Sequence, residues 1–248
     1  MEPVYRGIEI AAATAARALG TRITYQGMDN IPADGGAVVA MNHISYIDYL
    51  PAGLASRQRR RRIRFMLKAE ALEHGAVDFI ITHTDCIPVD RTAGAGAYDE
   101  AVRRLRAGQL VGVFPEATIS RSFELKEFKT GAVRMALEAQ VPIVPLILWG
   151  AHRMWTKDHP KDLGRKKIPW VIRAGEPLPP RGTMAEIDAG LRASMTTILH
   201  DVQEHYPHPA GAWWVPHRLG GSAPTPAEAT RLDDAERAER ARRAAERH

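Results

Sequence analysis

Short, uninterrupted apolar runs recur along this chain, and most are separated from the next by a segment with helical spacing. Residues 37–41 form one such run, bounded by turn residues, as a strand buried in a parallel sheet would be. Residues 184–205 carry large apolar side chains at every third or fourth position, which indicates a helix. Strands that alternate with helices predict an α/β fold, with a mostly parallel central sheet flanked by helices. The other predicted strands lie at 22–26, 63–67, 86–89, 110–114, 143–148 and 170–173, and the other helices at 4–19, 47–55, 96–107 and 130–139.

The two ends of the chain differ from the body between them. Residues 1–20 predict a helix that lies on a membrane surface, and residues 21–220 predict one α/β domain. In the charged tail, residues 221–248, Thr225 can cap a helix. Pro226 would be the first residue of that helix, and Glu228 the third. Only Leu232 is a large apolar residue beyond this start, so the tail helix has little to bury and can fray or stay disordered.

Composition excludes several classes of protein. The 248 residues are 45% apolar and 25% charged, which are ordinary values for a globular chain. The single cysteine, Cys86, excludes an intramolecular disulfide framework and a cysteine-based zinc site, and favours a reducing compartment. No stretch approaches the ~18–20 apolar residues that a transmembrane helix needs, and the N-terminus lacks a signal-peptide pattern. Composition therefore leaves a soluble or membrane-surface protein of the reducing cytoplasm, and of these we expect a peripheral protein on the cytoplasmic side of a membrane, without a metal.

The formal net charge is +5, and the charges of the tail cancel, so the excess lies in the body. Much of it is one arginine cluster between positions 57 and 64. Such a face attracts anionic lipid, nucleic acid or phosphorylated substrates. The cluster has no interleaved aromatic residues and no nucleic-acid-binding motif accompanies it, which argues against nucleic acid as a partner. It can hold the phosphates of coenzyme A, dock on anionic lipid, or be a solvated loop.

A histidine and an aspartate follow the apolar run at 37–41. In a continuous helix, residues five apart are rotated by about 140° and could not meet. Ser45, however, can cap a helix whose third residue is Asp48, which leaves His43 in the preceding turn, within reach of the carboxylate. The carboxylate would then fix the histidine tautomer and stabilise the imidazolium of a general base. Alternatively, Asp48 only completes the helix cap, and the spacing alone does not decide between the two.

Two other predicted strands end in polar residues. Glu116 follows a proline after the strand at 110–114, where it can bind a hydroxyl, hold neighbouring bases or be an exposed loop residue. Arg91 follows the strand at 86–89, and its guanidinium is suited to bidentate phosphate recognition or to a surface ion pair with the preceding aspartate.

Together these segments resemble the glycerolipid acyltransferase family typified by bacterial lysophosphatidic acid acyltransferases. Residues 42–48 match its Asn-His-x-x-x-x-Asp block, and 87–91 match its second block, which ends in arginine. Residues 114–116, Phe-Pro-Glu, begin the third block, and 141–145 look like the fourth, an apolar run with paired prolines. Four blocks in this order favour the enzymatic interpretation of each motif over the structural one.

The resemblance implies acyl transfer to a hydroxyl of lysophosphatidate at an anionic membrane surface. The acyl donor would be acyl-CoA or an acyl carrier protein, which is a co-substrate, and no other cofactor is expected. His43 would be the general base and Asp48 would orient it. The residues that would bind substrate are Asn42, Lys68, Arg91, Glu116, Thr118, Arg121 and Lys129. The acyl groove is expected between residues 143–149 and the helix after Asp48.

Two positions depart from the family pattern. Ala117 stands where the family usually has glycine, and Ile119 where it usually has the arginine that grips phosphate. Arg121, Lys126 and Lys129 are close enough in sequence to replace that charge. Another lysophospholipid or a glycolipid is therefore an alternative acceptor. A catalytically silent acyl-CoA- or lipid-binding protein and a thioesterase are the alternative functions.

Overall fold

Seven strands and six helices alternate along residues 3–68, 83–89 and 95–246, the residues that this computed structural model describes. The seven predicted strands are confirmed, as are the predicted helices. The strands are β1 (Ile23–Gln26), β2 (Ala37–Met41), β3 (Ile63–Lys68), β4 (Ile87–Val89), β5 (Leu110–Val113), β6 (Ile143–Trp149) and β7 (Trp170–Ala174). The helices are α1 (Pro3–Ala18), α2 (Tyr49–Gln58), α3 (Ala95–Arg106), α4 (Gly131–Ala139), α5 (Met184–His205) and α6 (Pro226–Ala245).

The strands form one sheet in the order β1-β7-β6-β2-β5-β3-β4. The five neighbours from β6 to β4 run parallel, whereas β7 runs antiparallel to β6 and pairs in parallel with β1. The prediction of a mostly parallel sheet is therefore confirmed. Strand β2 is bonded to β5 and β6 and is buried along its whole length, which explains its uninterrupted apolar sequence.

The side chains of β2 alternate between two apolar layers. Val38 and Ala40 pack with residues of α3, α4 and α5, while Val39 and Met41 pack on the opposite face with residues of α2. Helix α5 buries the stripe of large apolar residues that its spacing predicted. The sheet is thus covered on both faces, and the ends of its parallel strands are left to form a site.

Helix α1 packs against α2 and is hydrogen-bonded to the start of β3. The phenol of Tyr5 is buried and donates to the carbonyl of Ile63 at 3.1 Å, whereas Arg6 and Ile10 are exposed. Within the described residues, each helix is too short or too polar to cross a bilayer. The predicted N-terminal helix is confirmed as a helix, and its contact with a membrane stays a prediction.

Three arginines of the predicted cationic face are used within the fold. Arg59 pairs with Asp29 at 2.6 Å, and Arg61 donates to three backbone carbonyls of neighbouring loops. Arg64 is buried and donates to the carbonyl of Thr84 at 3.1 Å. These bonds join β3 and the turn before it to adjacent loops, and a contact of the cluster with coenzyme A or anionic lipid stays a prediction.

The predicted tail helix is confirmed over residues 226–245, and its fraying stays a prediction. Its predicted cap is present: the Glu228 backbone N–H donates to Thr225 Oγ1 at 3.3 Å, and the Thr225 N–H donates to the Glu228 carboxylate at 2.8 Å. Leu232 is exposed, so apolar burial does not hold α6 in place.

Candidate active site

The connection between β2 and α2, residues 42–48, leaves the carboxyl end of the central strand. Asn42 fixes its start, because Nδ2 donates to the carbonyl of Leu148 at 3.0 Å and Oδ1 accepts the Leu148 N–H at 2.7 Å. Asn42 is buried, and both ends of its amide are engaged with β6. These bonds give Asn42 a structural role, and its contact with substrate stays a prediction.

The imidazole of His43 meets the carboxylate of Asp48 within this connection. His43 Nδ1 lies 3.0 Å from Asp48 Oδ2, and the same oxygen accepts the backbone N–H groups of Ile44 and Ser45, each at 2.8 Å. Helix α2 begins at Tyr49, two residues later than predicted, so Asp48 ends a turn and its side chain folds back over the residues before it. The predicted contact is confirmed, and the contact with the Ser45 backbone coexists with it.

Burial dominates the electrostatics of this pair. Asp48 is fully buried, and burial raises the pKa of its carboxyl, although hydrogen bonds from His43 and from two backbone N–H groups partly oppose the rise. Because Nδ1 of His43 is bound to Asp48, Nε2 is the ring nitrogen left to take a proton. The His43 ring stacks on Phe114 with centroids 4.1 Å apart, and its side chain is 13% exposed. Such a pair can act as a general base.

The loop after β5 holds the main chain of His43 on both sides. Glu116 Oε1 accepts the His43 N–H at 2.8 Å, and the Ser120 N–H donates to the His43 carbonyl at 2.8 Å. The other oxygen of Glu116 accepts the N–H of Lys126 at 2.9 Å. Glu116 is buried and its carboxylate positions the turn, and its contact with the substrate head group stays a prediction.

The pKa of Glu116 is also raised. Burial raises its pKa to about 7, and the nearby Asp48 carboxylate adds to the rise. The hydrogen bonds from the Lys126 and His43 N–H groups and the charge of Lys126 oppose it. Glu116 therefore changes charge close to neutral pH.

The loop after β6 supports the same turn from the opposite side. Ser45 Oγ donates to the Trp155 carbonyl at 2.6 Å, and the Tyr46 N–H donates to that carbonyl at 3.2 Å. Thr156 Oγ1 donates to the carbonyl of Ile44 at 2.7 Å. Sequence analysis missed these contacts because the residues that make them lie more than 100 positions from the turn and match no motif.

His43 borders a groove of about 890 Å³. Its walls come mainly from α1, α2, β3 and α4 and are largely apolar, with Ile8, Leu50, Phe65 and Met135 among the lining side chains. The predicted contribution of the helix after Asp48 is confirmed. The predicted contribution of residues 143–149 is wrong for the described part of the chain, because β6 is buried within the sheet.

The predicted substrate-binding residues are only partly brought together. Thr118 and Lys129 both line the groove, where Lys129 is exposed. Arg121 does not line it and is instead engaged in ion pairs. Lys68 is the last residue of β3, but its side chain lies outside the described residues, as does the whole of Arg91.

A cationic cluster, formed by Arg121, Lys126 and Lys157, stands at one end of the groove. Lys126 Nζ donates to Thr118 Oγ1 at 2.6 Å, and Lys157 lines the groove. The cluster is paired with acidic residues of α6: Lys157 Nζ lies 2.8 Å from Glu236. Sequence analysis missed Lys157 and these acids, and no local motif marks them.

The two departures from the family pattern have structural counterparts. Ala117 has a φ of 60°, in the left-handed region that favours glycine. Ile119 is buried, with 4% of its surface exposed. The backbone at 117 therefore keeps the conformation that a glycine would allow, while position 119 supplies no charge.

Comparisons with known proteins agree with this architecture. A family model described as Acyltransferase matches residues 22–149. The 1-acyl-sn-glycerol-3-phosphate acyltransferase of Bacillus subtilis is 30% identical over 152 residues, covering 60% of this chain and 70% of that protein. The protein of the same name from Borreliella burgdorferi is 27% identical over 150 residues, so this chain spans 56% of its length.

The fold also has a solved counterpart. The crystal structure of the 1-acyl-sn-glycerophosphate acyltransferase PlsC from Thermotoga maritima aligns with a TM-score of 0.68 at 22% identity, covering 83% of this chain and 82% of that one. This likeness concerns the fold, and the family follows from the sequence matches. Since the family model spans more than half of its residues, the chain belongs to the acyltransferase family.

Proposed function

We propose that this acyltransferase moves a fatty acyl group from acyl-CoA or an acyl carrier protein to the hydroxyl of lysophosphatidate, giving phosphatidate for phospholipid biosynthesis. The names of the relatives support this acceptor. The observation that carries the proposal is the 3.0 Å contact between His43 Nδ1 and Asp48 Oδ2 beside a largely apolar groove. The largely apolar groove can hold an acyl chain, and the His43–Asp48 pair can take the proton that the acceptor hydroxyl must lose.

In the proposed reaction, His43 Nε2 takes the proton of the acceptor hydroxyl while the oxygen attacks the carbonyl carbon of the thioester. The tetrahedral intermediate then collapses, the C–S bond breaks, and the leaving thiolate takes the proton from the imidazolium. Asp48 stabilises that imidazolium through Nδ1. General-base catalysis of this kind contributes ~10²–10⁴-fold to the rate, and the positioning of both substrates supplies much of the rest.

The groove also suggests how the enzyme meets its lipid substrate. Helix α1 lines the groove with Ile8 and exposes Arg6, Ile10 and Arg17 to solvent. These cationic and apolar side chains fit the cytoplasmic surface of an anionic membrane. Co-sedimentation with phosphatidylglycerol vesicles but not with phosphatidylcholine vesicles would support this placement, and failure to bind either would contradict it.

The function is tested by replacing His43 and measuring phosphatidate by mass after incubation with acyl-CoA and lysophosphatidate. His43→Ala should lower turnover by ~10²–10⁴-fold or more, because the hydroxyl loses its base. His205→Ala is the matched control, since this histidine is exposed at the end of α5 and should leave turnover unchanged. Undiminished turnover by His43→Ala would contradict the proposal.

A panel of acceptors separates the remaining alternatives. Product from a lysophospholipid without a phosphate monoester, or from a glycolipid, in preference to lysophosphatidate would replace the proposed acceptor. Acyl-CoA hydrolysis that added lysolipid does not change would indicate a thioesterase. A thermal shift with acyl-CoA but no transfer to any acceptor would indicate a catalytically silent binding protein.

A further inference from the structure

Helix α6 lies at the rim of the groove with an acidic inward face. Ala229, Asp233 and Glu236 are turned away from solvent, at the i, i+4, i+7 spacing of one helical face. The one large apolar residue of the helix, Leu232, is exposed. A helix that docked by apolar burial would present such side chains inward, so charge holds α6 in place.

The two inward acids contact the whole cationic cluster. Glu236 accepts from Arg121 at 2.9 Å and from Lys157 at 2.8 Å. Asp233 hydrogen-bonds Arg121 and Lys126, and its carboxylate lies 3.6 Å from Lys157. Three cations from two loops of the body therefore converge on two carboxylates that come from the far end of the chain.

The cluster borders the groove in which the proposed reaction takes place. Lys157 and Thr118 line the same groove as His43, and Thr118 accepts a hydrogen bond from Lys126. Arg240, one turn beyond Glu236 on α6, also lines it. An acceptor whose hydroxyl reaches His43 thus has Lys157 in the same groove for its head group, with Lys126 beside it on Thr118.

We propose that Asp233 and Glu236 are an internal substitute for the phosphate of the acceptor: they occupy the cationic cluster until that phosphate displaces them and α6 with them. The inference rests on the proposed function. A phosphate monoester carries about −1.5 to −2 charge and three acceptor oxygens, so it can replace both carboxylates on one group of cations. Buried Ile119 leaves the charge to Arg121, Lys126 and Lys157.

The carboxylates are ionised whenever the enzyme works. Burial alone would raise the pKa of Glu236, but hydrogen bonds from Lys157 and Arg121 outweigh it and hold the pKa at about 2. The helix therefore competes with substrate throughout the physiological range. If the cluster is free in only a tenth of the molecules, the apparent affinity for phosphate is about tenfold weaker than the intrinsic affinity.

The test is the double variant Asp233→Asn/Glu236→Gln, assayed for the KM of lysophosphatidate and for the Kd of glycerol 3-phosphate by calorimetry. Both constants should fall by about tenfold, while kcat changes far less, because the competitor is removed and the cations remain. The matched control is Asp234→Asn/Glu239→Gln, which removes the same charge from the same helix. Its acids pair only with arginines of α6 in the described residues, so both constants should stay unchanged.

Two outcomes would overturn the inference. A higher KM in the double variant would mean that the acids help to build the acceptor site instead of blocking it. An unchanged KM in the double variant, together with a higher KM in Lys129→Met, would place the phosphate at Lys129, which lines the groove and pairs with none of the described carboxylates.

A second measurement uses the unmodified protein and does not depend on how the variant folds. Glycerol 3-phosphate should speed amide hydrogen exchange in residues 226–245, because it releases α6; slower or unchanged exchange there would contradict the proposal. If the enzyme makes no phosphatidate, the proposed function fails. The calorimetry and exchange results with glycerol 3-phosphate then still decide whether α6 competes for this site.

Discussion

Two polar regions border the groove, here called its two ends, and they are held in place by different physics. At one end, buried main-chain hydrogen bonds from two loops fix the turn that carries His43 and Asp48. At the other end, side-chain ion pairs to α6 hold the cationic cluster, and its acids Asp233 and Glu236 keep partial contact with solvent. The first arrangement is rigid, and the second can exchange one anion for another.

The contrast follows from what each kind of bond costs to break. A buried carboxylate that loses its donors is left desolvated and unpaired, so the contacts of Asp48 have no inexpensive alternative. Ion pairs near the surface can trade their partner for water, salt or a ligand at little cost. A proton-transferring pair needs the first property, and a site that must admit and release a charged head group needs the second.

The strongest test of the rigid end is Asp48→Asn. The single amide oxygen can take the place of Asp48 Oδ2 and accept the same hydrogen bonds, but the neutral amide cannot stabilise an imidazolium, so we expect kcat to fall by ~10²–10⁴-fold. Steady-state kinetics with acyl-CoA and lysophosphatidate would measure this, with circular dichroism to establish that the variant is folded.

Asp29→Asn is the matched control, because Asp29 is an exposed residue paired with Arg59. It should leave kcat unchanged. If Asp48→Asn keeps kcat within about tenfold of the wild-type value, the charge of Asp48 has no part in catalysis, and the rigid end is then only a structural cap.

Glu116 joins the two ends, since one oxygen accepts the His43 N–H and the other accepts the Lys126 N–H. Its pKa is raised from 4.5 to about 7, so between these pH values the folded protein binds a proton that the unfolded chain has lost. Stability from this group is therefore fully present below pH 4.5 and lost as pH rises through 7. The loss is on the order of 3 kcal/mol.

Urea unfolding of the wild type and Glu116→Gln across this range measures the effect. The free energy of unfolding of the wild type should decline relative to the variant as pH rises. Glu127 is an exposed residue in the same loop, so the free energy of unfolding of Glu127→Gln should change with pH as that of the wild type does. Parallel curves for the wild type and Glu116→Gln would mean that Glu116 titrates alike in the folded and unfolded chains.

The two ends also differ in how far the sequence predicts them. The contact between His43 and Asp48 spans five residues and follows a strand whose apolar run is unmistakable, so spacing and resemblance together identify it. The bonds that steady this turn come from Glu116 and Trp155, which are far along the chain. The motif led to Glu116 but not to its role, because burial was invisible in the sequence.

The sequence pointed to Arg121 and Lys126 of the cationic end but not to their ion pairs. These pairs join distant residues, such as Lys157 and Glu236, which are 79 positions apart, and Arg121 and Glu236, which are 115 positions apart. The sequence of α6 shows acids at several helical positions, and Asp233 is chemically equivalent to its neighbour Asp234. Which of them faces the body depends on how the helix docks. The cap at Thr225 predicted a helix in the tail, but only apolar burial was considered, so the charges that hold this helix against the body were not predicted.

The smallest effect concerns Ala117, which lies between Glu116 of the rigid end and Thr118 of the exchangeable end. Its φ of 60° is unfavourable for a residue with a Cβ, so Ala117→Gly should raise the free energy of unfolding by about 1 kcal/mol. The same change at Ala11, exposed within α1, should lower it by about 1 kcal/mol, since glycine disfavours a right-handed helix. If thermal unfolding shows that the glycine at 117 stabilises the protein and the glycine at 11 destabilises it, the backbone at Ala117 is strained. A loss of stability in both variants would mean that the loop relaxes around alanine without cost.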